Sequence, residues 1–271
     1  MPELKRVAIA GLGAIGGRVA KEIVEGNLPG LQLTAISVRD ENKARAQIGP
    51  AGVGIQVIEP ADLANDADIV VECLPSSEFE SVAVPAIDNG RTLLVLSAGA
   101  LLDRQYLIDR ARKTGANILI PSGAMIGLDA VNAAAEGNIL SVIITTRKPP
   151  ESLVGAPILV EKNIHLGTLT EPMKIFDGSV REAIRYFPAN VNVAAAVSLA
   201  GIGPDRTRIE VWADPTIERN IQSLKVECDS ASFALSVQSI PSPENPRTGL
   251  MTPQSVIAAL RKLSSSFSVG T

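Results

Sequence analysis

The sequence predicts an α/β protein that begins with a doubly wound parallel sheet and continues into a second, α+β domain with a mixed or antiparallel sheet. Over the first 120 residues, short β-branched runs alternate with amphipathic stretches, as in successive βαβ units. After about Pro121, the runs instead alternate apolar and polar residues, which is typical of a sheet with one solvated face. We expect domains over residues 1–121 and 122–245, and a C-terminal helix within 246–271 that returns to the first domain.

The strands of the first domain are nearly all apolar, as expected when helices cover both faces of a parallel sheet. The predicted strands are Arg6–Ala10, Gln32–Val38, Ile69–Cys73, Leu93–Leu96 and Asn117–Ile120. Helical spacing places helices at Ile15–Glu25, Asn42–Ile48, Ser77–Asn89 and Asp103–Thr114.

The second domain contains the alternating runs. They predict strands at Ser141–Arg147, Thr168–Phe176, Arg206–Ala213, Leu224–Glu227 and Phe233–Ile240. The uncharged stretch Tyr186–Pro204 is rich in Ala and Val but interrupted by Pro and Gly, which predicts a buried helix and not a membrane span. Thr252-Pro253 opens an amphipathic helix, Pro253–Ser264, after the Pro-rich segment Pro241–Pro246.

The composition narrows the range of partners. The chain has 271 residues, with 25 Lys and Arg against 29 Asp and Glu, a net charge of −4, and 3% aromatic residues. Without basic clusters or aromatic platforms, we expect neither nucleic acid nor a membrane surface as a partner. Cys73 and Cys228 are the only thiols, and their apolar or strand-like contexts predict buried free cysteines of a cytoplasmic protein. No metal site is predicted.

A glycine-rich turn follows the first predicted strand. Gly11-Leu12-Gly13-Ala14-Ile15-Gly16 comes directly after Val7–Ala10 and opens a helix. Gly11 permits a tight turn, Gly13 lets the backbone approach a pyrophosphate, and Gly16 lets helix and strand pack closely. The helix N-terminus at Ala14 and Ile15 offers unpaired N–H donors to phosphates. The pattern indicates a Rossmann dinucleotide-binding domain; the alternative is a tight strand-to-helix turn and nothing more.

The end of the second strand bears on which dinucleotide binds. A site for NAD would have an acidic residue at this strand end that hydrogen-bonds to the ribose hydroxyls of the cofactor. The segment here reads Ile36-Ser37-Val38-Arg39-Asp40. Arg39 is placed to meet a 2′-phosphate with Ser37 as a helper, while Asp40 suits a helix cap. We therefore favour NADP over NAD. Alternatively, Arg39 only stacks on adenine and both cofactors are used.

Two later loops follow strand ends, where ligands of open α/β sheets bind. Leu74 and Pro75 follow one strand, and Ala98 and Gly99 follow the next. We expect both loops to border the nicotinamide half of the cofactor, although each could also be an ordinary connection.

Longer motifs resemble the L-aspartate dehydrogenase family over nearly the whole chain. They are Pro121-Ser122-Gly123-Ala124-Met125-Ile126-Gly127-Leu128-Asp129-Ala130, Thr145-Thr146-Arg147-Lys148-Pro149-Pro150, Phe187-Pro188-Ala189-Asn190-Val191-Asn192-Val193-Ala194-Ala195-Ala196, Ala213-Asp214-Pro215 and Pro241-Ser242-Pro243-Glu244-Asn245-Pro246. The resemblance implies a homodimer that contacts through the second domain's sheet. It also implies reversible conversion of aspartate to iminosuccinate with NAD or NADP, with ammonia exchanged by hydrolysis of the imine.

The resemblance also implies roles for individual residues. Ala124 and Asn190 would contact the nicotinamide side of the cofactor, and Asn192 would lie with them near the reacting centre. The two Asn residues could instead cap a helix after Pro188. Arg147 and Lys148 suit clamps for substrate carboxylates, or form a solvated strand end.

The chain departs from the family pattern at one position. After Ala-Asp-Pro the family has an Asn, one residue and a catalytic His, whereas this chain reads Asn220-Ile221-Gln222. Gln222 can donate and accept hydrogen bonds but cannot exchange a proton near neutral pH. The single histidine, His165, lies in a segment that matches no catalytic element, so we expect an incidental loop residue.

Three functions therefore remain open at this point. The first is an NAD(P)-dependent oxidoreductase of the aspartate dehydrogenase type, acting on a small amino or imino acid or a related carbonyl compound. The second is a protein that binds NADP(H) without turnover. The third is a diverged member with another substrate, such as an imine or aldehyde reductase or a cofactor-assisted lyase.

Overall fold

The structure, a computed structural model, describes residues 4–187, 191–242 and 249–270. The chain forms two compact units. One comprises the chain up to Gly123 together with Thr252–Val269, and the other comprises Ala124–Met251 with Gly270 onward. The roles predicted for segments 1–121, 122–245 and 246–271 stay predictions.

Six parallel strands form the sheet of the first unit. They are β1 (Lys5–Ala10), β2 (Leu31–Ser37), β3 (Gln56–Val57), β4 (Ile69–Glu72), β5 (Thr92–Val95) and β6 (Asn117–Leu119), in the order β3-β2-β1-β4-β5-β6. Each neighbouring pair is parallel. This order confirms the predicted doubly wound Rossmann sheet. The two-residue strand β3 was not predicted, because it is too short to show a periodic pattern.

Helices of the first unit are α1 (Ala14–Val24), α2 (Glu41–Ile48), α3 (Phe79–Asp88), α4 (Ala98–Leu101) and α5 (Gln105–Thr114). Four of them lie at the predicted places, and the short helix α4 occupies a segment that was expected to be a loop. Short 3₁₀ turns occupy Pro50–Gly52, Pro60–Asp62 and Ser76–Glu78. The predicted helix Ser77–Asn89 is therefore a 3₁₀ turn followed by α3.

The second unit is built on a five-stranded mixed sheet. Its elements are α6 (Leu128–Ala135), β7 (Ile139–Lys148), a 3₁₀ turn (Pro150–Leu153), α7 (Pro157–Glu161), β8 (Met173–Ser179), α8 (Val180–Tyr186), α9 (Asn192–Ala200), β9 (Arg208–Ala213), β10 (Ile221–Cys228) and β11 (Ser232–Gln238). The strand order is β11-β10-β7-β9-β8, and only the β7–β9 pair is parallel. Alternation alone predicted one wet face but could not distinguish this parallel pair, since it reports burial and not strand direction.

The predicted buried helix after Tyr186 is α9 in its described part. Residues 194–198 of α9 are buried. The last helix, α10 (Met251–Ser264), buries Val256 and Leu260 in the same apolar cluster as Ile23 and Ile36 of the first unit. Among the described residues, no helix combines the length and apolar character needed to cross a membrane.

The two cysteines are free, as predicted, but neither is fully buried. Both are of intermediate exposure. Cys73 comes directly after β4 and still packs against the apolar cluster of the first unit, where burial raises the pKa of its thiol. The expectation of a buried thiol was wrong for Cys228, because it is the last residue of β10 and its thiol contacts the exposed turn that follows.

Candidate dinucleotide and substrate site

The turn between β1 and α1 is built around glycines that no larger residue could replace. Gly11 has φ +90°, and a Cβ there would lie 2.8 Å from the carbonyl oxygen of Cys73. A Cβ on Gly16 would lie 2.0 Å from the carbonyl oxygen of Gly11. The turn is therefore pressed against both β4 and its own helix, which explains two glycines of the fingerprint.

Gly13 serves a different purpose. It is the N-cap of α1, and nothing lies within 4 Å of the place where its Cβ would be. Within the described chain, no side chain caps this helix, and its first turn, which starts with Ala14 and Ile15, has no acidic residue. An open helix N-terminus with free N–H donors and a positive dipole end suits the pyrophosphate of a dinucleotide.

The end of β2 is tied directly to this turn. The N–H of Gly11 donates to the carbonyl oxygen of Ser37 at 2.8 Å. Two residues later, Arg39 is exposed and has no ion pair in the part of the chain that the structure describes. Asp40 caps α2 as predicted, because its side chain accepts a hydrogen bond from the N–H of Lys43 at 3.0 Å. In the part of the chain that the structure describes, the Arg39 guanidinium is therefore exposed at the carboxyl end of β2 and forms no ion pair.

A buried carboxylate joins the loops that follow β4 and β5. Glu72 has no solvent exposure and accepts hydrogen bonds from the N–H groups of Leu74 (3.0 Å), Leu96 (3.3 Å) and Ser97 (2.9 Å). The Ser97 hydroxyl also donates to it at 3.0 Å. Burial raises the pKa of Glu72, while these donors oppose the rise. Four donors on one carboxylate fix both loops in place.

The first unit therefore brings its predicted site residues together. Because β2, β1, β4 and β5 are neighbours in the sheet, the loops after them meet at one edge. The residues at this edge are Gly11, Gly13, Ala14, Ile15, Gly16, Arg39, Leu74, Pro75, Ala98 and Gly99. Ala98 and Gly99 lie in the short helix α4 and not in an irregular loop. Sequence analysis missed Glu72, because a lone acid at the end of an apolar run gives no sign of its partners.

In the second unit, Gln222 is buried in β10 and paired with a neighbouring strand. It stands opposite Thr146 of β7, whose hydroxyl donates to Gln222 Oε1 at 2.7 Å. Both side chains are less than one-tenth exposed. The pairing uses an acceptor of the Gln222 amide, so the amide Nε2 keeps its donors for other groups.

Lys148 and Arg147 end β7 in contrasting environments. Arg147 is half-exposed and forms an ion pair with the buried Asp214 at 2.5 Å. Burial alone would raise the pKa of Asp214, but hydrogen bonds from Thr216 and Arg147 lower it overall. Lys148 is only 5% exposed, and burial lowers its pKa from 10.5 to about 8. The hypothesis of a solvated strand end is therefore wrong for Lys148.

Two further polar atoms lie at the same end of this sheet. Ser239 donates its N–H to the carbonyl oxygen of Asn220 at 2.9 Å. Asn220 Oδ1 and Ser239 Oγ are both buried and have no hydrogen-bond partner among the described residues. Buried polar atoms are nearly always satisfied, so an unpaired set suggests a ligand-binding position.

The remaining predicted residues are less informative. Asn190 lies outside the described residues. Asn192 is exposed at the start of α9, and no side chain of the described chain caps that helix. Ala124 lies in a turn, and the preceding N–H, of Gly123, donates to Ser255 Oγ at 3.1 Å and is not available to a ligand. His165 is an exposed loop residue, as expected.

The strand order and the glycine turn define the class of Rossmann-type dinucleotide-binding proteins. Comparison with known proteins agrees with this class. Residues 11–121 match the family model described as the NAD binding domain of homoserine dehydrogenase. Residues 129–263 match the model described as the C-terminal domain of aspartate dehydrogenase.

Similarity to individual proteins identifies the family within this class. The chain is 52% identical over 266 residues to the L-aspartate dehydrogenase of Bradyrhizobium diazoefficiens, covering 98% of this chain and 94% of the relative. It is 47% identical to the L-aspartate dehydrogenase 3 of Bordetella bronchiseptica, covering 98% and 97%. The crystal structure of aspartate dehydrogenase from Thermotoga maritima has the same fold, with a TM-score of 0.76 at 24% identity and coverage of 98% and 99%. The chain belongs to the L-aspartate dehydrogenase family and is an NAD(P)-dependent oxidoreductase.

Proposed function

We propose that this protein is an L-aspartate dehydrogenase that interconverts L-aspartate and iminosuccinate. The observation that carries the proposal is the 52% identity, over nearly the full length of both chains, to a relative named for that activity. Asn220 Oδ1 and Ser239 Oγ, which are buried and have no hydrogen-bond partner in the described part of the second unit, support a substrate that brings N–H donors.

The residues of the first unit would hold the cofactor. The open N-terminus of α1 at Gly13 suits the pyrophosphate, and the loops fixed by Glu72 suit the nicotinamide half, through Leu74, Pro75, Ala98 and Gly99. When bound, the oxidised nicotinamide accepts a hydride. The protein's own residues would hold the nicotinamide ring in a fixed orientation toward the substrate carbon, and this orientation favours hydride transfer.

Residues of the second unit would hold the substrate. Gln222 stands where the family pattern has its catalytic His, and its free amide donors suit a carboxylate or carbonyl oxygen of the substrate. We propose that Gln222 orients the substrate and transfers no proton, with Ala124, Asn190 and Asn192 completing the contacts to nicotinamide and substrate.

We further propose that NADP is preferred over NAD. The exposed guanidinium of Arg39 follows β2 and is not engaged by an acidic side chain in the described chain. A 2′-phosphate is the group that such a cation recognises best at this place. Ser37 contributes its carbonyl oxygen to Gly11 and so keeps this strand end beside the turn.

A homodimer formed through the second unit's sheet is the assembly we propose. The face opposite Gln222 has apolar side chains that are exposed or partly exposed, Ile143 of β7 and Ala234 of β11, beside Thr145 and Lys225. Burying such a face against a second copy would remove apolar surface from water. Light scattering coupled to gel filtration tests this: a mass of two chains is expected, and a stable monomer at micromolar concentration would contradict it. The cytoplasmic location stays a prediction.

The activity itself is tested with purified protein and reduced cofactor. Oxaloacetate with excess ammonium should consume NADPH faster than NADH, and omission of ammonium should stop the consumption. Binding of NADPH, measured by fluorescence, is the control for an intact cofactor site. Binding without ammonium-dependent turnover would refute the substrate assignment.

A further inference from the structure

A hydrogen-bonded polar pair follows an apolar row on the buried face of β7 and β10. Leu224 stands opposite Ile144 on this face, and both are buried. The next pair on the same face is Gln222 and Thr146, and each is more than nine-tenths buried. Valine has the shape of threonine and would continue the apolar row, whereas a buried hydroxyl is costly unless it has a partner. Packing alone therefore does not explain a threonine at this position.

The hydrogen bond between the two side chains fixes which way the amide of Gln222 is turned. The Thr146 hydroxyl donates to Gln222 Oε1 at 2.7 Å and has no other acceptor among the described residues. If the amide were turned over, Nε2 would take the place of Oε1 and donate to the hydroxyl oxygen. The hydroxyl hydrogen would then be buried without an acceptor, which is costly. The pair therefore favours the orientation with Oε1 toward Thr146.

The same orientation leaves the two N–H donors of Gln222 Nε2 for a ligand. Within the part of the chain that the structure describes, Nε2 has no hydrogen-bond partner. A neutral N–H donor is matched by an oxygen that carries lone pairs, and a carboxylate is the strongest acceptor of this kind. An ammonium or alkyl group at this place would leave both donors unsatisfied.

Unpaired oxygens adjoin this donor along the strand. In the ladder between β10 and β11, Gln222 stands opposite Val237. The ladder continues for two more residues, because the Ser239 N–H donates to the Asn220 carbonyl oxygen at 2.9 Å. Residues two apart on a strand point to the same face, so Asn220 and Ser239 share the face of Gln222. An α-amino acid complements this face, with a carboxylate for Gln222 Nε2 and an ammonium group for the unpaired Asn220 Oδ1 and Ser239 Oγ.

We propose that Thr146 is a positioning residue that makes Gln222 a fixed donor to a carboxylate of the substrate. This inference rests on the proposed function, in which Gln222 contacts the substrate. Thr146 acts through the amide: it keeps Oε1 turned away from the carboxylate, whose negative charge that oxygen would repel. The pair recognises an anionic oxygen of the substrate, and the substrate nitrogen is held by other groups on the same face.

The first test separates the hydroxyl of Thr146 from its shape. Thr146→Val removes the hydroxyl and keeps the shape, so the amide of Gln222 is no longer held. We expect kcat/KM for aspartate to fall roughly 10–100-fold, mainly through KM, because the weakened contact holds the carboxylate in the ground state and the transition state alike. Thr146→Ser keeps the hydroxyl and should stay within about threefold of the wild type.

Thr92→Val is the matched control. Thr92 is a partly buried residue at the start of β5, and its side chain has no hydrogen bond among the described residues. The variant makes the same chemical change on a strand and should match the wild type. If Thr146→Val does not fold, as judged by thermal unfolding and NADPH binding, Thr146→Ala also removes the hydroxyl and takes its place in every comparison.

A double-mutant cycle tests whether Thr146 acts through Gln222. Gln222→Met keeps the length of the side chain and removes both its donor and its acceptor. Adding Thr146→Val to this variant should lower kcat/KM by no more than about twofold further, because there is no amide left to orient. A structural role of Thr146 would instead cause the same loss with and without Gln222→Met.

Succinate tests whether the group recognised is a carboxylate. It keeps the two carboxylates of aspartate and lacks its nitrogen. We expect succinate to inhibit aspartate oxidation competitively, with an inhibition constant that rises by about tenfold or more in both Thr146→Val and Gln222→Met. No inhibition of the wild type, or an inhibition constant that the two variants leave unchanged, would overturn the carboxylate as the group recognised.

The outcomes separate this inference from the function on which it rests. Thr146→Val with the wild-type kcat/KM, or with the same loss in the presence and absence of Gln222→Met, would overturn the positioning role alone. A wild type that binds NADPH but does not turn over aspartate, or oxaloacetate with ammonium, would overturn the proposed function and this inference with it.

Discussion

Replacing Lys148 by Met should stabilise the protein at neutral pH. The pKa of Lys148 is 10.5 in an unfolded chain and about 8 in the folded protein. At about 1.4 kcal/mol per pH unit, this difference corresponds to roughly 3 kcal/mol of destabilisation by the charged form. Methionine has similar length, needs no such desolvation and suits an apolar surrounding. Lost hydrogen bonds of the lysine offset part of the gain, so we expect a net stabilisation of about 1–3 kcal/mol.

The sign of the pH dependence follows from linkage. Between about pH 8 and 10.5 the unfolded chain binds more protons at this position than the folded protein. The wild type therefore gains stability as the pH rises through this window, and its full penalty is present below about pH 8. The advantage of Lys148→Met should be largest at pH 7 and shrink by pH 10 to under about 1 kcal/mol, from which the constant cost of the lost contacts is subtracted.

Urea unfolding of the cofactor-free protein at pH 7 and pH 10 measures both quantities. The control variant is Lys113→Met, at an exposed position of α5. Its free energy of unfolding should differ from that of the wild type by no more than about 0.5 kcal/mol at either pH. A Lys148→Met protein that is less stable than the wild type by the same amount at both pH values would refute the reasoning, because the ammonium group would then carry no desolvation penalty.

Three further changes test the site. Glu72→Gln places an amide N–H against backbone N–H donors at a position with no solvent exposure. We expect the free energy of unfolding to fall by about 1–3 kcal/mol and NADPH to bind more weakly, as measured by calorimetry. Unchanged NADPH binding would contradict a role of Glu72 in fixing the two loops. Arg39→Ala should weaken NADPH binding by about tenfold or more and leave NADH binding nearly unchanged, whereas an equal loss for both would indicate stacking on adenine. Gln222→His should raise the rate of aspartate oxidation if the rest of the pocket is that of the family; a loss of rate, with NADPH binding intact, would show that the pocket has changed with it.

Local patterns in the sequence were enough to predict the turn after β1 and the cap of α2. The glycine spacing after an apolar strand and Asp40 before a helical stretch are signals that depend only on residues close together in the sequence. Glu72 could not be found in this way, because its donors come from two loops, one of them 24 or 25 residues away along the chain. Lys148 next to Pro149 and Pro150 resembles an exposed strand end, and only the sheet shows that its side chain is buried.

The second sheet shows why strand pairing is harder to predict than strand position. The five alternating segments were located from their apolar periodicity, but Thr146 and Gln222 are 76 residues apart and meet only because β7 and β10 are adjacent. A slip of one residue in either strand would have put Gln222 on the opposite face, so the register, which the sequence does not display, determines what Gln222 contacts.

The direction of the Thr146–Gln222 hydrogen bond bears on how the enzyme can work without a histidine in this position. Since Thr146 donates to Gln222 Oε1, the amide is oriented with Nε2 free to donate to an oxygen of the substrate. A fixed donor can hold a carboxylate but cannot accept a proton from an ammonium group. The proton must therefore go to a group other than Gln222. Orientation and proton transfer, which one imidazole could combine, would then be divided between two groups.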